Sequence, residues 1–158
     1  MGSRVQRDAE SQRAHDEAVR LIADHRFGLT DWSVGINPVA EQNHPIGDNG
    51  TPAYPDIVAR CDDGIVAIGE VETSESISEE EAHQWRELAR LCGRLYLFVP
   101  EGMEDEAARL IEDHQIHCAG LRTYSIKNSE TVLIESVPMS NGRAKWNDHP
   151  WWTNLGKN

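Results

Sequence analysis

The chain has 158 residues and a formal net charge of −12, with 27 acidic side chains against 15 basic ones. This length supports one compact domain with its own core, and the ordinary apolar and charged fractions exclude wholesale disorder. The excess of acids argues against a protein that coats nucleic acid nonspecifically, because such affinity comes from Lys and Arg neutralising phosphates. No apolar stretch is long enough to span a membrane and the N-terminus is polar, so we expect a cytoplasmic protein.

The first half of the chain predicts one helix and three strands. Residues 7–26 lack Gly and Pro and place small and aliphatic side chains at helical spacing, which predicts a helix. Residues 31–40 alternate apolar and polar side chains with the period of a strand. Two further apolar runs, 54–61 and 65–73, flank Asp63-Gly64, a pair that is favoured in tight turns, and they predict a hairpin.

The second half predicts two helices and three strands. A helix begins after Ser78, which forms the S-x-x-E capping pattern with Glu81. The same patterns predict a strand, a helix and a final strand pair at residues 94–100, 104–114, 120–126 and 131–137. Antiparallel strands followed by strand–helix crossovers indicate an α/β domain whose central mixed sheet is flanked by helices.

Residues 1–138 therefore form one predicted domain, and residues 139–158 form a separate Trp-rich arm. The arm either packs irregularly against the domain or serves as a contact surface. The three cysteines, Cys61, Cys92 and Cys118, are far apart in apolar surroundings, which predicts buried free thiols.

Three carboxylates interrupt the apolar runs of the predicted hairpin. Side chains alternate along a strand, so Glu70 and Glu72 share one face and Val71 lies on the other. Symmetric pairing about Asp63, with no bulge, brings Asp56 and Glu70 to nearly facing positions. Carboxylates that converge in this way require a compensating cation, and a hard divalent ion such as Mg²⁺ suits their oxygens. The alternative is an ordinary half-exposed strand with a solvated acidic face.

The motif formed by these residues resembles that of the PD-(D/E)xK nuclease superfamily. Pro55-Asp56 is followed by Gly-Glu-Val-Glu at 69–72, and the resemblance extends over residues 8–126. It implies a restriction-endonuclease-like αβββαβ core, here with an additional C-terminal helix and strands. It further implies metal-dependent hydrolysis of phosphodiester bonds in DNA, with Mg²⁺ or Mn²⁺ as cofactor. Small members of the superfamily often dimerise, so a homodimer is a further expectation.

The resemblance assigns the metal ligands to the end of the second hairpin strand. Asp56 and Glu70 correspond to the two acids that bind the ion in this superfamily. The Val71 carbonyl group is the expected third ligand. All three are backbone neighbours in the predicted hairpin.

The remaining catalytic assignments follow the same resemblance and include one departure from it. Glu72 occupies the place of the usual motif Lys, and its expected role is to orient or deprotonate the attacking water. Glu17 in the first helix and Gln84 in the second resemble supporting residues of related nucleases. The missing Lys leaves a second hypothesis open, that the chain is a nuclease-like binding or assembly module without hydrolytic activity.

Overall fold

The computed structural model describes residues 7–27, 32–38, 41–47 and 50–138, and the Trp-rich arm at 139–158 lies outside these ranges. One sheet contains six strands: β1 Ser33–Ile36, β2 Ile57–Cys61, β3 Gly64–Val71, β4 Leu95–Pro100, β5 Cys118–Asn128 and β6 Thr131–Ser136. Three α-helices pack on it: α1 Ala9–Ile22, α2 Glu79–Leu91 and α3 Glu104–Asp113. Within the described ranges, none of these helices has the length and apolar character needed to cross a bilayer.

The sheet is mixed, and its six strands lie side by side in sequence order. Strands β1, β2 and β3 pair antiparallel, as do β5 and β6. Strands β3, β4 and β5 pair parallel, because α2 and α3 carry the chain back to the same end of the sheet. The predicted α/β class, mixed sheet and order of elements are confirmed.

Helices cover both faces of the sheet and produce a three-layered domain. Helix α1 packs its apolar face on one side, where Ile22 is fully buried. Helices α2 and α3 pack on the other side, where Trp85 is the largest fully buried side chain among the described residues. The sheet therefore has a core on each face, and the long apolar runs of β3 and β4 fit that double burial.

The hairpin between β2 and β3 brings Asp56 and Glu70 together as predicted, but its turn and its local register differ from the prediction. The turn consists of Asp62 and Asp63 and is one residue shorter than predicted, because Gly64 already begins β3, with a φ of 123°. A bulge then leaves Val66 without a direct partner and shifts the register by one residue. The two displacements cancel, so Ile57 faces Gly69 and the next pair toward the open end is Asp56 and Glu70.

Local boundaries agree with the sequence patterns in part. The helix predicted at residues 7–26 is α-helical over Ala9–Ile22 and continues as a π-turn at Ala23–Phe27. The Ser78 hydroxyl accepts the Glu81 backbone N–H at 3.2 Å, which confirms the predicted cap of α2.

The prediction of three buried thiols is wrong for two of the cysteines. Cys61 is exposed because it ends β2 beside the hairpin turn. Cys92 is partly buried because it follows the last turn of α2. Cys118, which begins the interior strand β5, is buried as expected.

Candidate functional site

The end of β3 brings Asp56 and Glu70 into direct contact. The Asp56 backbone N–H donates to Glu70 Oε1 at 2.9 Å, and the Val71 backbone N–H donates to Asp56 Oδ2 at 2.9 Å. Both side chains are buried, with 5% and 8% of their surface exposed. The chain thus places two carboxylates in adjacent positions inside the protein, where an uncompensated charge is costly.

A second group of acids adjoins this pair. Carboxylate oxygens of Glu70, Glu72 and Glu81 lie within 4.8 Å of one another, and all three residues are buried. Glu70 lies near the end of β3 and Glu72 directly follows the strand, with their carboxylates close together as predicted, while Glu81 reaches them from the first turn of α2. These three residues are called the acid cluster below, and Glu70 belongs both to it and to the pair with Asp56.

Burial and mutual repulsion change the protonation of the acid cluster. Burial raises the pKa of Glu70 well above its ordinary value, and the negative charges of Asp56 and Glu72 raise it further. Burial also raises the pKa of Glu72 well above its ordinary value, with the charge of Glu81 as the next cause. Because the charged forms are disfavoured, these acids hold protons at a higher pH than exposed glutamates do.

Glu72 is fixed by hydrogen bonds to both of its carboxylate oxygens. The indole Nε1–H of Trp85 donates to Oε1 at 2.9 Å, and the hydroxyl of Ser76 donates to Oε2. These two bonds lower the pKa of Glu72 and so oppose part of the effect of burial. The Tyr124 hydroxyl donates to the Glu72 carbonyl oxygen at 2.6 Å, which fixes the backbone as well.

Helix α1 contributes a histidine to the site. His15 is 3% exposed, and its Nε2 lies 3.0 Å from the Val71 carbonyl oxygen and 3.3 Å from Asp56 Oδ2. Its Nδ1 lies 3.2 Å from an oxygen of Asp16. Imidazole nitrogen is a common ligand of divalent transition metals. His15 therefore joins two of the groups that the sequence predicted as metal ligands.

The surroundings of His15 favour the protonated ring. Burial lowers the pKa of His15, but the hydrogen bond and negative charge of Asp56 outweigh burial and leave the pKa raised. Acceptors lie near both ring nitrogens, Asp16 near Nδ1 and Val71 and Asp56 near Nε2, while the Gln12 amide nitrogen, a donor, lies 3.5 Å from Nδ1. A neutral imidazole donates from only one nitrogen, whereas the imidazolium ion donates from both.

Two further residues predicted from the resemblance, Glu17 and Gln84, lie on α1 and α2. The side chain of Glu17 is 42% exposed and pairs with Arg20 at 4.0 Å. The structure therefore does not bring Glu17 to the carboxylates, and His15, two residues earlier on α1, is the residue that reaches them. Gln84 is half-buried on α2, one turn after Glu81.

The sequence contained a signal for both residues that the prediction missed. His15 lies three, four and seven residues before Ala18, Val19 and Ile22, so it belongs to the apolar face of α1. Glu81 precedes Trp85 and Leu88 by four and seven residues, which places it on the buried face of α2. A polar side chain within an apolar helical stripe is the detectable feature in both cases.

Among the described residues, the ligand atoms of Glu70, Glu72 and Glu81 lie close enough to hold a metal ion, and this group contains neither Asp56 nor His15. The Asp56 and Glu70 carboxylates, the Val71 carbonyl and the acid cluster supply oxygen donors, which Mg²⁺ and Mn²⁺ prefer. When its ring is neutral, His15 offers a nitrogen donor, which favours Mn²⁺ relative to Mg²⁺. The raised pKa values of Glu70 and Glu72 indicate excess negative charge that a cation would compensate.

Comparison with known proteins gives no relative for this chain. No protein-family model, no curated protein and no solved structure matches it significantly.

Proposed function

We propose that this protein is a divalent-metal-dependent nuclease that hydrolyses phosphodiester bonds in DNA. The observation that carries the proposal is the convergence of buried acids at the end of β3, where Asp56 and Glu70 meet and the acid cluster adjoins them. Such a concentration of buried carboxylates is destabilising for the fold alone, and sites of this kind are typical of function.

The architecture supports the same proposal. The order α1, β1, β2, β3, α2, β4 is the αβββαβ order that the PD-(D/E)xK resemblance implies. Strand β5, helix α3 and strand β6 are then additions to a restriction-endonuclease-like core. The site lies where β3 ends, which is the position of the Gly-Glu-Val-Glu motif.

Each residue has a distinct role in this proposal. Asp56, Glu70 and the Val71 carbonyl would hold the cation, and His15 would contribute a fourth donor after releasing its ring proton to solvent. The cation would stabilise negative charge on a phosphate oxygen and lower the pKa of a water molecule. Glu72 accepts a proton from the attacking water, since its raised pKa makes it a better base than an exposed glutamate.

DNA must approach an acidic protein, so affinity depends on the cation and on local arginines. The net charge of −12 gives no general attraction to phosphate. The positive charge of Arg7 opposes the rise in the pKa of both His15 and Tyr124, so this arginine lies near those two residues. A homodimer would bring two such sites to the two strands of a duplex.

One observation favours a second function, a binding or assembly module without hydrolysis. Both carboxylate oxygens of Glu72 accept hydrogen bonds from the protein, and Glu72 occupies the place of the motif Lys. If those bonds leave Glu72 unable to take a proton from water, the site binds a cation and a phosphate and goes no further.

The test measures cation binding and DNA cleavage on the same full-length preparation. The protein is stripped with chelator, titrated with Mg²⁺ and Mn²⁺ by calorimetry, and assayed on single-stranded, duplex and branched DNA. Asp56→Asn keeps the shape of the side chain and removes its charge, and Asp105→Asn is the matched control on the exposed face of α3.

The nuclease proposal expects the original chain and Asp105→Asn to bind the cation and cleave at least one substrate, while Asp56→Asn does neither. Cation binding without cleavage of any substrate would favour the binding module. Equal cleavage by Asp56→Asn and the original chain, or no cation binding at millimolar concentration, would refute a metal-dependent nuclease at this site.

A further inference from the structure

Glu72 joins three elements of the domain through its hydrogen bonds. Ser76 lies in the connection between β3 and α2, and Trp85 lies in the middle of α2; both side chains are fully buried. Tyr124 on β5 binds the Glu72 carbonyl oxygen. The Ser76 hydroxyl also accepts the Thr73 backbone N–H at 2.9 Å, which holds the connection in a tight turn. The position of the carboxylate is therefore set by surrounding residues rather than by solvent.

The donors around this position determine which side chains it can accept. An indole N–H only donates, so the side chain at position 72 must present an acceptor to Trp85. A lysine has three donors and no acceptor, and it would leave the buried indole N–H facing another donor. Glutamate and glutamine both satisfy Trp85 and Ser76, because a glutamine amide can accept from the indole and donate to the hydroxyl.

We propose that Ser76 and Trp85 are positioning residues. They fix the Glu72 carboxylate at the position that a lysine occupies in the superfamily motif. Each carboxylate oxygen has a second lone pair after accepting one hydrogen bond, and an oxygen of Glu72 lies within 4.8 Å of Glu70 and Glu81. The two donors thus hold Glu72 beside the other acids with acceptor capacity remaining. This inference rests on the proposed nuclease function for its catalytic consequence, and on contacts within this chain for the positioning itself.

The first experiment follows the Trp85 indole N–H by NMR in the full-length protein. Trp85→Phe identifies the resonance, and Trp32→Phe is the control for replacing a tryptophan elsewhere. The bonded N–H is expected to keep its downfield position in Glu72→Gln and to lose it in Glu72→Ala. Titration with Mg²⁺ is expected to move the resonance in the original chain and to leave it unchanged in Asp56→Asn. An indole resonance that responds neither to Glu72→Ala nor to Mg²⁺ would overturn the positioning role.

The second experiment measures kinetics in a double-mutant cycle. Ser76→Ala is expected to lower kcat about tenfold with KM for DNA nearly unchanged, the size expected for losing one hydrogen bond to a charged group. In a Glu72→Gln background the same substitution is expected to have a much smaller effect, because Ser76 acts through the Glu72 charge. Ser136→Ala on an exposed edge strand is the matched control. An equal loss of kcat in both backgrounds would assign Ser76 a purely structural role and refute the inference.

Glu72→Lys tests directly whether the Trp85 and Ser76 donors require an acceptor at position 72, since this substitution restores the lysine of the superfamily motif. For Glu72→Lys, the matched set of donors predicts lower thermal stability than the original chain and at least tenfold lower kcat, whereas Glu72→Gln should be at least as stable as the original chain. A Glu72→Lys protein that is as stable as the original and cleaves faster would overturn the inference. If the original chain cleaves no DNA, the proposed function fails, and the NMR and stability measurements still decide the positioning role.

Discussion

Replacing Glu70 with glutamine removes one negative charge from the acid cluster and keeps the shape of the side chain. The retained Oε1 can still accept the Asp56 backbone N–H, the one hydrogen bond of Glu70 described above. The new amide group can donate to the neighbouring carboxylates of Glu72 and Glu81, whose oxygens lie within 4.8 Å. We therefore expect Glu70→Gln to be more stable than the original chain when divalent cations are removed.

The expected gain follows from two independent estimates. Two full charges 4.8 Å apart, the upper limit for these oxygens, repel by about 3 kcal/mol with an effective dielectric constant of about 20. Alternatively, the cluster can take up a proton. Holding a carboxyl of ordinary pKa 4.5 protonated at about pH 7 also costs about 3 kcal/mol. The folded protein adopts whichever is cheaper, charge repulsion or protonation, so the smaller cost sets the upper limit of the destabilisation by Glu70. Glu70→Gln should therefore raise the free energy of unfolding by about 2–3 kcal/mol, or Tm by about 5–10 °C for a chain of this size.

The assay is thermal unfolding in chelator across a range of pH. The folded-state pKa of Glu70 is raised above its unfolded value, so its penalty is absent below the unfolded pKa and grows as pH rises toward the folded pKa. The advantage of Glu70→Gln should therefore vanish near pH 4.5 and increase toward neutrality. Glu112→Gln on the exposed side of α3 is the matched control and should leave Tm unchanged.

Added Mn²⁺ should reverse the order of stability. The original chain gains stability because the cation binds only the folded state, and Glu70→Gln gains less. Equal or lower stability of Glu70→Gln in chelator at neutral pH, with the control unchanged, would refute the reasoning that the acid cluster is strained by its own charge.

Three further predictions concern other parts of the molecule. The pKa of His15 is raised, so its hydrogen bonds stabilise the apo protein fully below the unfolded pKa of 6.5 and lose this effect as pH rises through the folded pKa. In urea unfolding, the difference in free energy of unfolding between the original chain and His15→Gln should therefore shrink as pH rises. The pKa of Glu79 is lowered, first by its hydrogen bond to His114, so this carboxylate stabilises the fold above its unfolded pKa of 4.5. Urea unfolding should therefore show Glu79→Gln less stable than the original chain at neutral pH, with a difference that disappears as pH falls below 4.5. Gly64→Ala should lower the free energy of unfolding by about 1–2 kcal/mol through its positive φ alone, since open space surrounds the position. Gly93→Ala, also in open space but with an ordinary φ, should cost less stability, and an equal loss in both variants would contradict this explanation.

Much of the fold was predictable because the relevant patterns are local. The alternation of side chains along a strand placed Glu70 and Glu72 on one face before any tertiary contact was known. Helical spacing and the Ser78 cap located α2, and the sequence order of strands and helices indicated a mixed sheet. The facing of Asp56 and Glu70 was also predicted, although the actual turn and bulge each differ by one residue and cancel.

The composition of the site was less predictable because its members are distant in sequence. His15 reaches Asp56 across 41 residues, and whether it does so depends on how α1 packs over the sheet. The packing of α1 also decides the exposure of Glu17. Each residue turns a helix by about 100°, so Glu17, two residues after His15, lies on a different face of α1.

The sequence by itself therefore determined the elements, their order and the shared face of the motif acids, because sterics and periodicity act between near neighbours. Only the tertiary structure decided that His15 and Glu81 join those acids, and that Trp85 and Ser76 hold Glu72. These contacts arise from the packing of two helices on opposite faces of one sheet. That packing is fixed by the burial of whole apolar surfaces, which no short stretch of sequence specifies.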